Sequence, residues 1–163
     1  MTLWQPLESP IGELTLIGDG VALTEILFAN SPRRDALRQS LPQGELPQAA
    51  EQLEAYFAGS LQHFTVPLAP KGTPFQSRVW ALLREIPFAE TTTYGALAAQ
   101  LGNPNASRAV GLANGSNPLP IIVPCHRVIG ANGQLTGFAG GLPAKSWLLD
   151  WERHCKFFGA DRE

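Results

Sequence analysis

Residues 73–115 read TPFQSRVWALLREIPFAETTTYGALAAQLGNPNASRAVGLANG, and this stretch decides the architecture of the chain's second half. Phe75, Val79, Leu82, Leu83 and Ile86 recur at the three- and four-residue spacing of one helix face. Thr73 followed by Pro74 supplies a cap and then a proline at the first helical position, where a missing N–H does no harm. Pro87 ends the run, because it can neither donate to the helix nor let the preceding residue stay helical. A second helix is expected over 93–101, a tight turn at Gly102, Asn103, Pro104 and Asn105, and a third helix over 106–114. Two short helices joined by such a turn outline a helix-turn-helix.

Upstream the pattern changes. Residues 11–28 read as a β-hairpin, with Leu14, Leu16 and the apolar run after Val21 flanking the turn signal Gly18, Asp19, Gly20. One helix is expected after Ser31 and Pro32, and another over 46–58, where Leu53, Tyr56 and Phe57 share a face and Gly59 stops it. Residues 66–73 hold Pro67, Pro70 and Gly72, break all periodicity, and read as a linker. The expected fold is therefore α+β: a small N-terminal antiparallel sheet with helices, followed by a mainly helical C-terminal domain containing the helix-turn-helix. The expected domains are residues 1–70 and 71–163.

A chain of 163 residues that is 44% hydrophobic and only 16% charged can bury a core and lacks the composition of a disordered protein. No apolar run approaches the roughly 18 residues that would cross a bilayer, and residues 1–10 lack the pattern of a secretion signal. A soluble, cytoplasmic protein with no membrane partner is expected. Its two cysteines, Cys125 and Cys155, are too few for a disulfide scaffold, so both are expected as free thiols. The net charge of −2 does not itself favour a nucleic-acid partner, but the distribution does not exclude one. Residues 1–70 carry three basic against eight acidic side chains, whereas residues 71–163 carry nine basic against six acidic. A polyanion would meet the second half.

The chemistry is concentrated in residues 117–127, N-P-L-P-I-I-V-P-C-H-R, where an apolar run bounded by prolines delivers Cys125 and His126 together. Such a run reads as buried, and Pro124 holds Val123 extended, so the thiol is placed in a restricted geometry. A cysteine attacks as the thiolate, which requires a base or positive surroundings at neutral pH. His126 is the candidate base. Neighbours in an extended chain point to opposite sides, so a water is the natural relay between the two side chains. Asp150 or Glu152, on the apolar segment near the C-terminus, would orient the imidazole in the manner of a triad. Cys125, His126, His154 and Cys155 also form two adjacent pairs, but adjacent side chains have the wrong spacing for one zinc ion.

Several blocks, in order, resemble the O6-alkylguanine-DNA alkyltransferases: G-T-P-F-Q with V-W from Gly72, Tyr94-Gly95, R-A-V-G from Arg108, A-N-G-S-N-P from Ala113, P-C-H-R-V-I from Pro124, G-F-A-G-G from Gly137 and W-L-L-D-W-E from Trp147. The opening S-P-I-G-E-L-T-L from Ser9 resembles the same family's start, so the likeness covers most of the chain. It implies single-turnover, irreversible transfer of an alkyl group from O6-alkylguanine in double-stranded DNA to Cys125. It also implies that His126 activates the thiol through a water with Glu152 behind it, that Asn117 braces the loop, and that Tyr94 donates to or orients the leaving guanine.

For DNA the resemblance implies that the third helix enters the minor groove and that Arg108 is the finger that fills the stack when the damaged nucleotide is turned out. Ala106, Ala109, Gly111, Ala113 and Gly115 are the small residues that would let this helix lie close to the duplex, and Ser107 stands with Ala106, Arg108, Ala109 and Gly111 among the implied DNA-binding residues. Tyr94, Val128, Phe138 and Ala139 would form the guanine pocket, with Phe138 standing where many relatives carry tyrosine. Zinc-bearing relatives place their ligands in the N-terminal half, where this chain has only His63 and no cysteine, so no metal and no other cofactor is expected. A monomer is expected.

Overall fold

The computed structural model describes residues 1–159. The chain forms two compact units, Met1–Lys71 and Gly72–Lys156, with Phe157 and Phe158 grouped with the first.

The first unit is built on three antiparallel strands in the order β1 (Leu3–Leu7), β2 (Leu14–Gly18), β3 (Leu23–Leu27). All five residues of the central strand β2 are buried, including Thr15, whose hydroxyl accepts hydrogen bonds from Arg38. Asp19 closes the β2–β3 turn, its carboxylate accepting from the N–H groups of Val21 and Ala22. Helices α1 (Arg34–Ser40) and α2 (Pro47–Ala58) follow. α2 buries Ala49, Ala50, Leu53 and Tyr56, while Phe57 is only half-buried. Gly59 ends it at φ 84°, a left-handed conformation that side-chain-bearing residues adopt only with strain.

Two expectations for this unit need correction. β1 was not foreseen, because Gln5 and Pro6 interrupt its apolar pattern. Pro6 is tolerated because β1 ends the strand order, although Trp4 also pairs with Gln43. The supposed linker is also more than a linker: Leu23 donates to the Pro67 carbonyl at 2.8 Å and accepts from Ala69 N–H at 2.9 Å, and Val66 is buried. Pro67 sits where the ladder needs only its carbonyl.

The second unit opens with α3 (Pro74–Leu83), whose N-terminus is a complete capping box between Thr73 and Gln76. Gly72 precedes it, and a Cβ there would fall 2.4 Å from the Trp80 ring, so only glycine lets the chain cross the indole. Trp80 in turn donates to the Ala113 carbonyl at 2.8 Å and ties α3 to α5. A two-residue strand β4 (Thr92–Thr93) leads into α4 (Tyr94–Gln100), capped by the Thr93 hydroxyl. A single 3₁₀ turn, Pro104–Ala106, precedes α5 (Ser107–Gly115), so Ala106 caps the helix and lies outside it. Cys125–Arg127 form a second 3₁₀ turn, β5 (Val128–Ile129) pairs parallel to β4, and α6 (Leu142–Phe158) closes the described chain. Among the described residues no helix is long and apolar enough to cross a membrane.

Candidate active site

The segment leading to Cys125 is held by side-chain bonds to its backbone. Asn117 accepts from Leu119 N–H at 2.9 Å and donates to the Val123 carbonyl at 2.8 Å, spanning the loop from within. Asn114, buried on α5, donates to the Cys125 carbonyl at 3.4 Å. Every residue from Leu119 to Val128 is buried. Ile121 sits at φ 75°, a left-handed conformation that is strained for a β-branched side chain and persists only where its surroundings enforce it.

The expectation of an extended chain through Cys125 and His126 is not met: both lie on a 3₁₀ turn, with Pro124 as its cap. Their side chains therefore do not alternate as on a strand. His126 is completely buried, and its Nε2 lies 2.7 Å from Glu152 Oε2. Burial pushes the Glu152 carboxyl up, but hydrogen bonds and charge from His126 and Arg127 outweigh it and hold the group well below the usual carboxylate range. An ionised carboxylate only accepts, so Nε2 must carry the proton, and Nδ1 is left as a lone-pair acceptor. Among the described residues that buried Nδ1 finds no hydrogen-bond partner. Burial lowers the His126 pKa against the pull of Glu152, which keeps the ring neutral and Nδ1 free to take a proton.

Burial pushes the Cys125 thiol up to about 11, although the Asn117 side chain and the Lys145 charge act against it. At neutral pH the resting group is therefore a thiol, and a proton acceptor has to act during attack. Glu152 also accepts from both Nε and Nη2 of Arg127 at 2.9 Å and from Ala89 N–H at 3.2 Å. Arg127 donates further to the Ile86 carbonyl at 2.7 Å and lies over the Phe88 ring. Lys145 is fully buried, its ammonium donating to the carbonyls of Val128 at 2.7 Å and Thr136 at 3.3 Å. Of the nearby charges it is Lys145 that favours the thiolate, against the burial that raises the thiol, and burial lowers the Lys145 pKa as well.

Helix phase separates the two carboxylates named from sequence. Glu152 lies on the buried stripe of α6 with Ala144, Lys145, Leu148, Leu149 and Cys155, whereas Asp150 is exposed and pairs with Arg153. The structure thus gathers Cys125, His126, Glu152 and Asn117. Tyr94 is half-buried at the start of α4, its hydroxyl 2.5 Å from the Thr136 hydroxyl, and its ring lies against Gly111. Val128 is completely buried, Phe138 half-buried and Ala139 exposed. Arg108 and Ala109 are exposed on the first turn of α5, while Ala106, Ser107 and Gly111 are half-buried. His154 stacks on Trp151, and Cys155 is buried. Sequence reasoning assigned no role to Arg127, Lys145, Asn114 or Thr136. The available signal was a charged residue on an apolar stripe at 145, and a second directly after the Cys-His pair at 127.

Comparison with known proteins finds relatives that match more than nine-tenths of the chain. A family model described as 6-O-methylguanine DNA methyltransferase, DNA binding domain, matches residues 74–154, and one for the ribonuclease-like domain of the same proteins matches residues 2–70. A methylated-DNA–protein-cysteine methyltransferase of Methanosarcina acetivorans is 54% identical over 150 residues, covering 91% of this chain and 96% of that protein. The crystal structure of Mycobacterium tuberculosis O6-methylguanine methyltransferase is 50% identical with a TM-score of 0.85, covering 94% of this chain and 93% of that one. The same organism's protein in complex with DNA gives 50% identity and a TM-score of 0.85, covering 92% of each chain. These matches span both units and the Cys125 turn: the chain belongs to the 6-O-methylguanine DNA methyltransferase family.

Proposed function

We propose that Cys125 is the acceptor in a direct, irreversible transfer of an alkyl group from the O6 oxygen of guanine in double-stranded DNA, once per molecule. Family membership makes the reaction class DNA repair by alkyl transfer to a cysteine. The observation that carries the residue-level reading is the buried, unpartnered Nδ1 of His126, on the residue next to the thiol, with Nε2 locked by Glu152.

In this reading the S–C bond forms as the C–O6 bond breaks, and the electron pair leaves with guanine. The thiol proton passes, through one water, to His126 Nδ1, and Glu152 stabilises the imidazolium that results. Guanine gains a proton as it leaves, with Tyr94 as the donor or orienter; where Tyr94 donates, His126 gives up its proton and the phenol regains one through solvent, so the net change moves the thiol proton to guanine. The product is a thioether, which none of these groups can hydrolyse. That is why one molecule performs one transfer and no cofactor is needed.

The Gly72–Lys156 unit carries DNA binding and transfer, and the Met1–Lys71 unit is structural. A paired base is unreachable, so the nucleotide is turned out into a pocket formed by Tyr94, Val128, Phe138 and Ala139. Arg108 projects from the first turn of α5 to fill the vacated stack, and small residues at 106, 107, 109 and 111 allow close approach to the minor groove. The protein acts as a monomer in the cytoplasm, where reducing conditions keep Cys125 a thiol.

The test is Cys125→Ala with a lesion-bearing duplex. The variant is expected to bind the duplex and transfer nothing, while the parent protein stops after one equivalent. Continued turnover by the parent would identify a hydrolase instead. Undiminished function of the variant would identify a DNA-binding regulator.

A further inference from the structure

Thr136 is held from three directions. Its carbonyl accepts from the buried Lys145 ammonium, which also bonds Val128 directly after the Cys125 turn. Its methyl lies 3.6 Å from where a Cβ on Gly130 would stand, and its hydroxyl meets the Tyr94 hydroxyl. A β-branched side chain has few χ1 choices, and this packing directs the methyl to Gly130 and the oxygen to Tyr94. A phenol has one proton, and in the reacting complex that proton has to face the base. A hydroxyl partner can both donate and accept, so it can reverse its role by rotating one O–H while every heavy atom stays in place.

We propose that Thr136 is the positioning residue for Tyr94: its hydroxyl holds the phenol in place in the free protein and donates to Tyr94 Oη when the Tyr94 proton turns to the departing guanine. This rests on the role given to Tyr94 above. Donation to the phenol oxygen also polarises the Tyr94 O–H and makes it a stronger donor, since hydrogen bonds in a chain reinforce one another. No proton changes owner at Thr136.

The experiment is single-turnover transfer from a duplex carrying one O6-methylguanine, measured over a range of protein concentrations. It separates the rate at saturation from the DNA Kd for the parent, T136V, T136S, Y94F and T136V/Y94F. Thr136→Val deletes the hydroxyl at nearly constant volume. It is expected to slow the saturated rate by about 2- to 12-fold, the value of one net hydrogen bond, with Kd unchanged. Thr136→Ser keeps the hydroxyl and should retain most of the rate. The double variant should be no slower than Tyr94→Phe alone, because Thr136 acts only through the phenol. Parental speed in T136V with a slow Y94F would overturn this proposal and leave the Tyr94 reading standing. So would equal losses in T136V and T136S, or losses that multiply in the double variant. Parental speed in Y94F would overturn both.

Discussion

Replacing Glu152 with glutamine removes a charge and almost no volume from the centre of the site. The carboxylate receives hydrogen bonds from Ala89 N–H, His126 Nε2 and two guanidinium nitrogens of Arg127. A glutamine can accept on one side, but its NH2 must then face a donor. The Arg127 side chain, 7% exposed, is then left among the described residues with the Ile86 carbonyl, the Phe88 ring and at best the one glutamine oxygen to receive it. Removing one partner of a buried ion pair costs about 3–5 kcal/mol, a large part of the roughly 5–15 kcal/mol that holds a domain together. At about 2–4 °C per kcal/mol for a chain of this size, the midpoint should fall by about 6–20 °C. The assay is thermal unfolding at pH 7 of the parent, Glu152→Gln, Arg127→Met and the double variant. The double variant should recover much of the loss, because neither member of the Arg127–Glu152 pair then leaves its partner's charge unpaired. The pH dependence has a definite sign. Glu152 titrates lower folded than its ordinary 4.5, so its contribution is complete above that value and disappears as pH falls through the folded pKa. Glu152→Gln should lack that component of acid destabilisation. A Glu152→Gln midpoint within about 2 °C of the parent, which is less than 1 kcal/mol, or a double variant as unstable as the single one, would refute the reasoning.

Three other outcomes follow from the same geometry. Cys125 is buried in a close-packed loop, so its alkylated form should be less stable by about 1–3 kcal/mol, the usual penalty of overpacking. This is read as a lower melting temperature of mass-verified methylated protein without DNA, and coincident melts would mean that the site has spare room. The folded thiol ionises near 11 against an ordinary value of 9.0, so the unfolded state loses its proton first and stability should fall between those values. Urea midpoints of Cys125→Ala against the parent across that window check it, the variant showing the smaller decline. Arg108→Ala should slow repair of duplex lesions by about tenfold or more, because extruding a base takes a few kcal/mol. Reaction with a free O6-benzylguanine should be almost unaffected, and equal losses on both substrates would remove the finger role.

Much of the helical half was legible because its signals are local. Thr73-Pro74, Thr93 and the glycine and proline turns mark helix ends through short-range sterics and capping, and the observed bounds of α3, α4 and α5 follow them closely. β1 was hidden because Gln5 and Pro6 make sense only beside β2 and Gln43, which are distant in sequence. The 66–73 stretch misled for the same reason: Pro67 and Ala69 form a ladder with Leu23 that no local pattern announces. Within the site, Cys125 and His126 could be named from their setting, but their 3₁₀ turn could not. The residues themselves left Asp150 and Glu152 open and only the family resemblance pointed to Glu152; the structure puts Glu152 on the buried stripe with Leu148 and Leu149 and leaves Asp150 exposed. Lys145 and Arg127 were the missed opportunities, charged side chains in apolar surroundings that had to find partners once buried.

The central claim is that Cys125 receives the alkyl group. Incubating the protein with one equivalent of a duplex bearing a single O6-methylguanine, then locating the added methyl by peptide mass spectrometry, addresses it most directly. The account predicts one methyl per molecule, on the peptide containing Cys125, with unmodified guanine left in the duplex. A methyl on Cys155, or guanine restored with no methyl on the protein, would contradict it.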